Sequence, residues 1–132
     1  MSYSNPITTM IVNPVEQDFG AGTGTAWSFK GPTGKKGILI YVGLFLTETF
    51  VDDTAPTAGV AIGTSGDADA YALLEVADGT ALTDTFNIQD DSDVIISQGL
   101  PADTQIECTQ IAAADSGTPA GKGYPYVVVE WY

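Results

Sequence analysis

The chain has 132 residues, which is enough for one hydrophobic core and short for two domains. Seventeen acidic residues against four lysines give a formal net charge of −13, with no arginine and no histidine. Because nucleic acids and anionic membranes are bound through lysine and arginine, this balance argues against both as partners. Because Cys108 is the one cysteine, an intrachain disulfide is excluded. Its neighbours Glu107 and Thr109 supply no base that would activate the thiol, so we expect a buried, unreactive side chain.

The N-terminal sequence lacks a basic start followed by an apolar run, so we expect no signal peptide. The longest apolar stretch, residues 38–46, is too short to cross a bilayer as a helix. We therefore expect a protein that is made and assembled in a cytoplasm.

Glycine and proline interrupt the chain at intervals of about ten residues, a rhythm typical of an antiparallel β-sandwich or a jelly-roll-like barrel. This predicts an all-β fold with a single sandwich domain over residues 26–132. Residues 1–25 have two open interpretations. They can be an N-terminal arm that becomes ordered on a neighbouring subunit, or a first strand containing Ile7 and Met10–Val12.

The first clear strand prediction is residues 26–30, where Trp27 and Phe29 fall on one face. Residues 31–37 predict a tight turn rich in glycine. Two lysines lie in that turn, but the spacing of a phosphate-binding loop is absent and no helix follows.

Residues 37–51 predict the longest strand of the chain. Strict alternation puts Leu39, Tyr41 and Phe45 on one face, and the other face carries Ile38, Ile40, Val42, Leu44 and Leu46. Gly43 predicts a bulge or bend. A strand that is apolar on both faces must be covered on both, and no sufficiently long helix is predicted. We therefore expect a loop or another subunit over the second face, with Leu39, Tyr41 and Phe45 as interface candidates.

Residues 57–64 predict another strand, with Val60 and Ile62 on one face. Two predictions compete for residues 67–76. Asp67 can cap a short helix that places Tyr71 and Leu74 on one face, or residues 71–76 can form a strand. Residues 81–97 predict an acidic loop that includes a short strand at residues 94–96.

The C-terminal part predicts a hairpin in which strand 104–111 pairs with strand 124–132. In the last strand Val127, Val129 and Trp131 share one face, and the opposite face carries Tyr126, Val128, Glu130 and Tyr132. Aromatic side chains are enriched at protein interfaces. Tyr126, Trp131 and Tyr132 therefore complete the set of interface candidates.

Groups that do chemistry are scarce in this composition. Without histidine, arginine or a G-x-S-x-G motif, we expect no catalytic residue and no enzyme. We also expect no cofactor, although calcium is worth weighing because three loops concentrate oxygen ligands: Asp52–Asp53, Asp67 with Asp69, and residues 90–93. None has the spacing of a twelve-residue calcium loop, and solvated acids are the simpler interpretation.

A series of turn and strand signatures follows in a fixed order. They are SFKGPTGKKG at residues 28–37, TETF at 47–50, VAIGT at 60–64, DAYA at 69–72, PADT at 101–104, PAG at 119–121 and the closing VVVEWY. Together they resemble small β-rich virion proteins of tailed bacteriophages, of the kind that decorate or cement the capsid. The resemblance extends over roughly residues 26–132 and involves no catalytic motif.

The resemblance implies a protein that binds the major capsid protein noncovalently on the outside of the head shell, often as a trimer. A net charge of −13 agrees with a position outside, because the interior of the shell holds DNA. Two alternatives stay open. One is a head-fibre or tail subunit, and the other is a carbohydrate-binding module that uses its aromatic rings to stack on sugars.

Overall fold

The computed structural model describes residues 7–20, 24–51, 58–76, 94–111 and 120–132. Within these ranges the chain forms nine strands and no helix, so none of the described segments can cross a membrane as a helix. The strands are β1 (Ile7–Val12), β2 (Gln17–Asp18), β3 (Gly24–Lys30), β4 (Gly37–Val51), β5 (Gly59–Gly63), β6 (Ala72–Glu75), β7 (Gly99–Leu100), β8 (Gln105–Ile111) and β9 (Ala120–Trp131).

The strands form two curled antiparallel sheets in a sandwich-like arrangement, which confirms the predicted all-β fold. Sheet A has the order β1-β9-β4-β7, with β2 also paired to β9, and sheet B has the order β3-β8-β5-β6. One of the two interpretations of the N-terminal region was a first strand. Residues 7–12 form a strand, β1, which is the outermost strand of sheet A. Residues 1–6 and 81–93 lie outside the described residues.

The hydrophobic core is built from alternating side chains of both sheets. Val60 and Ile62 of β5 contribute from sheet B, and Val127 and Val129 of β9 contribute from sheet A, all without exposed surface. Trp27 and Phe29 share a face as predicted; their ring centroids lie 5.2 Å apart, and both rings pack against the core. Cys108 is also fully buried, as expected from its sequence context.

The alternation of β4 changes at Ile40, which corrects the predicted faces of this strand. Its register with β9 shifts between Leu39 and Tyr41, so Ile40 is the extra residue of a bulge. Leu39 therefore faces the core together with Val42, and the prediction that it shares a face with Tyr41 is wrong. The bulge expected at Gly43 is also wrong, because Gly43 pairs in regular register with Tyr126.

The predicted hairpin between residues 104–111 and 124–132 is wrong. β8 lies between β3 and β5 in sheet B, whereas β9 lies between β1 and β4 in sheet A. Both strands have one buried face, as predicted, but they belong to different sheets and do not share a ladder. Consecutive strands of a sandwich often lie in different sheets, and local alternation does not distinguish that arrangement from a hairpin.

The short helix predicted from Asp67 is also wrong, because the segment forms a turn followed by β6. The Asp67 carbonyl accepts hydrogen bonds from the backbone N–H of Thr64 at 2.8 Å and of Ala70 at 3.3 Å. β6 then pairs with β5 and buries Leu74, so sheet pairing outweighs the local helix cap. At residues 94–96 the predicted short strand is a single bridge between Ile95 and Ala72.

Candidate interaction surface

Three cross-strand rows of sheet A point away from the core. Paired residues of antiparallel strands carry their side chains on the same face. From β1 through β9 to β4, the rows are Thr8–Glu130–Ile38, Met10–Val128–Tyr41 and Val12–Tyr126–Gly43. They alternate with the rows that contain the buried Val127 and Val129, so they form the outer face of the sheet.

The outer face carries a continuous group of apolar and aromatic side chains. We call the following residues the outer patch: Met10, Val12, Tyr41, Phe45, Tyr126 and Val128. Met10 is 53% exposed and Phe45 is 41% exposed. Single exposed hydrophobic residues are common on soluble proteins, but adjoining ones on one sheet face make this surface a candidate interaction site.

The centre of the outer patch is a stacked pair of rings that lies over Gly43. The rings of Phe45 and Tyr126 are 4.5 Å apart between centroids, with an interplanar angle of 24°. A Cβ atom on Gly43 would overlap the ring of Tyr126, so glycine is what allows the ring to lie flat across β4. Burial, and secondly the neighbouring Tyr41, raise the pKa of Tyr126 above its ordinary value.

The structure divides the interface candidates predicted from sequence. Tyr41, Phe45 and Tyr126 lie together on the outer face, where Phe45 is exposed and Tyr126, stacked against it, is only 4% exposed. Leu39 and Trp131 are 0% and 2% exposed, because the bulge turns Leu39 inward and the inner face of β9 carries Trp131. These two side chains belong to the core and offer no surface to another chain in the folded state.

Tyr132 lies apart from the outer patch, at the end of the sandwich. Its side chain is 48% exposed. Its backbone pairs with Lys36, whose carbonyl accepts from the Tyr132 N–H at 2.9 Å, while the Lys36 N–H donates to the Tyr132 carbonyl at 3.1 Å. This pairing ties the end of the chain to the turn between β3 and β4.

Sequence reasoning missed Met10, Val12 and Val128 as members of the outer patch. The sequence of β1 carried a signal, since strand alternation puts Met10 and Val12 on one face and Ile11 on the other. What it lacked was the position of β1, which depends on pairing with β9 more than a hundred residues later.

A second surface feature is an open groove of about 540 Å³ beside β1. Residues 9–12 form one side, residues 30–32 form the other, and Trp131 forms the floor. The indole Nε1 of Trp131 donates a 2.8 Å hydrogen bond to Thr9 Oγ1. A Cβ on Gly37 would lie 2.8 Å from the same indole, and Gly31 has no more room than Gly37. The Trp131 ring thus holds β1 against the β3–β4 turn.

The described residues contain no group of three or more acidic, cysteine or histidine side chains placed to hold a metal ion. Asp67 and Asp69 lie in the turn before β6, and the other calcium candidates, residues 52–53 and 90–93, lie outside the described residues. Burial raises the pKa of Cys108 to about 12, so its thiol stays protonated and is a poor nucleophile.

Comparison with known proteins gives a likeness in fold. No family model matches the chain, and no curated protein matches it in sequence. Among solved structures, a chain of the capsid asymmetric unit of cyanophage Pam1 superposes with a TM-score of 0.54 and 14% identity. The superposition covers 99% of this chain and 91% of that chain. This protein is therefore a curled, two-sheet β-sandwich whose fold resembles that of a chain found in a phage capsid.

Proposed function

We propose that this chain is a virion structural protein of a tailed bacteriophage, which binds the outer surface of the head shell as a decoration or cement protein. The observation that carries the proposal is the outer patch, a continuous apolar face on a chain whose net charge is −13. The fold likeness to a phage capsid chain supports it, since it extends over nearly all of both chains.

The charge of the protein favours the outside of the shell over the inside. Packaged DNA is a dense polyanion, and a chain with 17 acidic residues and four lysines is repelled by it. On the exterior the same charge keeps free copies soluble until the outer patch is covered by the shell.

The proposed mechanism is noncovalent clamping of several copies of the major capsid protein. A protein that binds the assembled shell and not its dissociated subunits stabilises the shell by mass action. Neither an active site nor a cofactor is required for this role, and we propose that the protein is not an enzyme. Trimers would match local three-fold positions of a shell, and attachment would follow assembly in the host cytoplasm.

Shells assembled without this protein provide the direct test. We expect that adding the purified protein produces density at fixed, symmetry-related positions in electron cryomicroscopy and raises the melting temperature of the shell. Absence of density at saturating protein concentration would contradict the proposal. Density on tails or on isolated fibres instead would favour the head-fibre or tail alternative.

Two substitutions in β4 form a matched pair for locating the contact. Phe45 and Val51 are 41% and 44% exposed, but only Phe45 belongs to the outer patch. We expect Phe45→Asp to abolish shell binding and Val51→Asp to leave it nearly unchanged. The melting temperature of each free variant separates loss of binding from loss of folding. Equal binding by both variants would exclude the outer patch as the contact.

The rings of the outer patch also favour a second candidate, a carbohydrate-binding module. Tyr126 is only 4% exposed beneath Phe45, so a sugar would have to stack on Phe45 and the half-buried Tyr41. A glycan array separates the candidates: specific binding that Phe45→Asp removes would support sugar recognition, and an array without signal would eliminate it.

A further inference from the structure

β1 is the outermost strand of sheet A, and its unpaired edge faces away from β9. Next to β1, the backbone N–H of Asn13 donates to the Pro125 carbonyl at 2.8 Å. Backbone bonding alternates along an antiparallel pair, so Ile11 and Thr9 also bond to β9. Thr8, Met10 and Val12 must therefore direct their N–H and C=O groups outward, and no partner strand for them is found among the described residues.

This edge lacks the features that usually prevent strand addition. Soluble proteins protect exposed edges with charges, prolines or bulges. β1 has the sequence ITTMIV and pairs with β9 in regular register over all six residues. Its exposed side chains include Ile7 at 47% and Met10 at 53%. Such an edge is a ready template for another strand.

The groove adds a positive charge beside this edge. Lys30 lies on its rim with an exposed side chain, and Lys35 and Lys36 follow in the adjoining turn. Three of the four lysines of the chain are thus concentrated at one end of the sandwich. Lys122 lies elsewhere and forms a 3.6 Å ion pair with Glu48. The groove therefore suits an extended segment that carries a carboxylate.

We propose that the free edge of β1 receives an extended segment of the shell-forming capsid chain, which adds a strand to sheet A and places an acidic side chain against Lys30. This inference rests on the proposed function and names a second contact with the shell, beside the outer patch. Main-chain hydrogen bonds supply affinity in this mode, and side chains beside the strand supply specificity.

A second copy of this chain is a poorer occupant of the same edge. Residues 8, 10 and 12 direct their backbone N–H and C=O groups outward. If β1 of one copy paired with β1 of a second copy around a twofold axis, that axis would therefore pass beside Met10. Because Lys30 lies beside residues 9–12, this arrangement brings the Lys30 side chains of both copies to the same seam. β1 itself contains no acid, and Glu130, which pairs with Thr8, lies on β9, one strand back from the seam.

Hydrogen–deuterium exchange of the full chain, free and bound to shells assembled without it, tests the backbone contact. On binding, we expect exchange at the amides of Thr8, Met10 and Val12 to slow by about tenfold or more. The amides of β6, the far edge of sheet B, should not change. Shell binding without protection of the three β1 amides would overturn the inference and leave the proposed function standing.

Charge reversal tests the side-chain contact. We expect Lys30→Glu to raise the Kd for shells by about tenfold at low salt, an effect that added salt reduces. Lys36→Glu makes the same charge change in the adjoining turn but outside the groove, and we expect it to change the Kd less than about twofold. Equal effects of the two variants would contradict a specific carboxylate partner.

Two further results would overturn the inference. If the wild-type protein does not bind shells at all, the proposed function fails and this inference fails with it. If analytical ultracentrifugation shows a dimer of the free protein that Met10→Pro dissociates, the edge binds a second copy and the assignment to the capsid chain is wrong. Proline suits this control because the Met10 N–H points outward, so no β1–β9 bond is lost.

Discussion

Replacing Gly43 with alanine tests the packing at the centre of the outer patch. A Cβ atom at this position would overlap the Cζ and hydroxyl of Tyr126, and the nearby Phe45 ring blocks a simple sideways shift. The tyrosine ring must therefore lift off β4. Lifting the ring separates it from Phe45, to which it is now stacked at 4.5 Å.

The expected cost follows from two contributions. Loss of a stacked aromatic pair costs about 0.5–1.5 kcal/mol, and forcing a methyl group into a packed site costs about 1–3 kcal/mol. Part of this loss is offset, because alanine restricts the unfolded chain more than glycine does. That restriction raises the free energy of unfolding by about 0.5–1 kcal/mol. We expect a net loss of about 2 kcal/mol in the free energy of unfolding, measured by urea denaturation.

The control is Gly99→Ala in β7, where an added Cβ would have no neighbour within 4 Å. This variant should be as stable as the wild type or slightly more stable. A double-mutant cycle then isolates the cause: in a Tyr126→Ser background, Gly43→Ala should lose most of its penalty. The reasoning is refuted if Gly43→Ala behaves like Gly99→Ala, or if its penalty is unchanged without the tyrosine ring.

Three other predictions concern the core and the charged surface. Because burial raises the pKa of Cys108 from 9.0 to about 12, the unfolded thiol ionises first, and each pH unit between these values should lower the free energy of unfolding by up to about 1.4 kcal/mol. Cys108→Ala should remove this part of the alkaline slope in urea denaturation. Trp131→Phe removes the 2.8 Å hydrogen bond to Thr9 Oγ1 and should cost about 1 kcal/mol or more in the same assay, with non-additive loss when combined with Thr9→Val. Lys122→Met breaks the exposed 3.6 Å ion pair with Glu48, and its effect on the melting temperature should correspond to less than about 1 kcal/mol and shrink with added salt.

Local alternation was enough to predict the strands β3, β4, β5, β8 and β9 and, in β3, β5 and β9, the side chains that share a face. It failed where pairing between distant strands decides the outcome. The bulge at Ile40 is defined only by the pairing of β4 with β9, and no glycine or proline marks it. The separation of β8 from β9 likewise depends on which sheet each strand joins. Residues 112–119, which connect them in the sequence, are equally consistent with a hairpin or a crossover.

The outer patch was predicted only in part, again because pairing between distant strands places some of its residues. Tyr41 and Phe45 were identifiable because β4 is apolar on both faces, and Tyr126 because aromatic side chains are enriched at protein interfaces. Met10 and Val12 required knowledge that β1 lies against β9. The groove also required the position of Trp131, whose aromatic character suggested an interface, whereas its ring fills the space beside two glycines.

The distribution of charge explains how such a surface can remain exposed in a free protein. β1 is uncharged, three lysines lie at the adjoining end, and acidic side chains dominate the rest of the chain. Free copies that approach through their apolar faces bring two chains of net charge −13 into contact, and acidic side chains that come within the screening distance of about 8 Å at physiological salt repel one another. In the proposed attachment each outer patch faces the shell instead of the apolar face of a second acidic chain. The same acidity that opposes self-association in solution is thus compatible with dense, regular attachment to a larger surface.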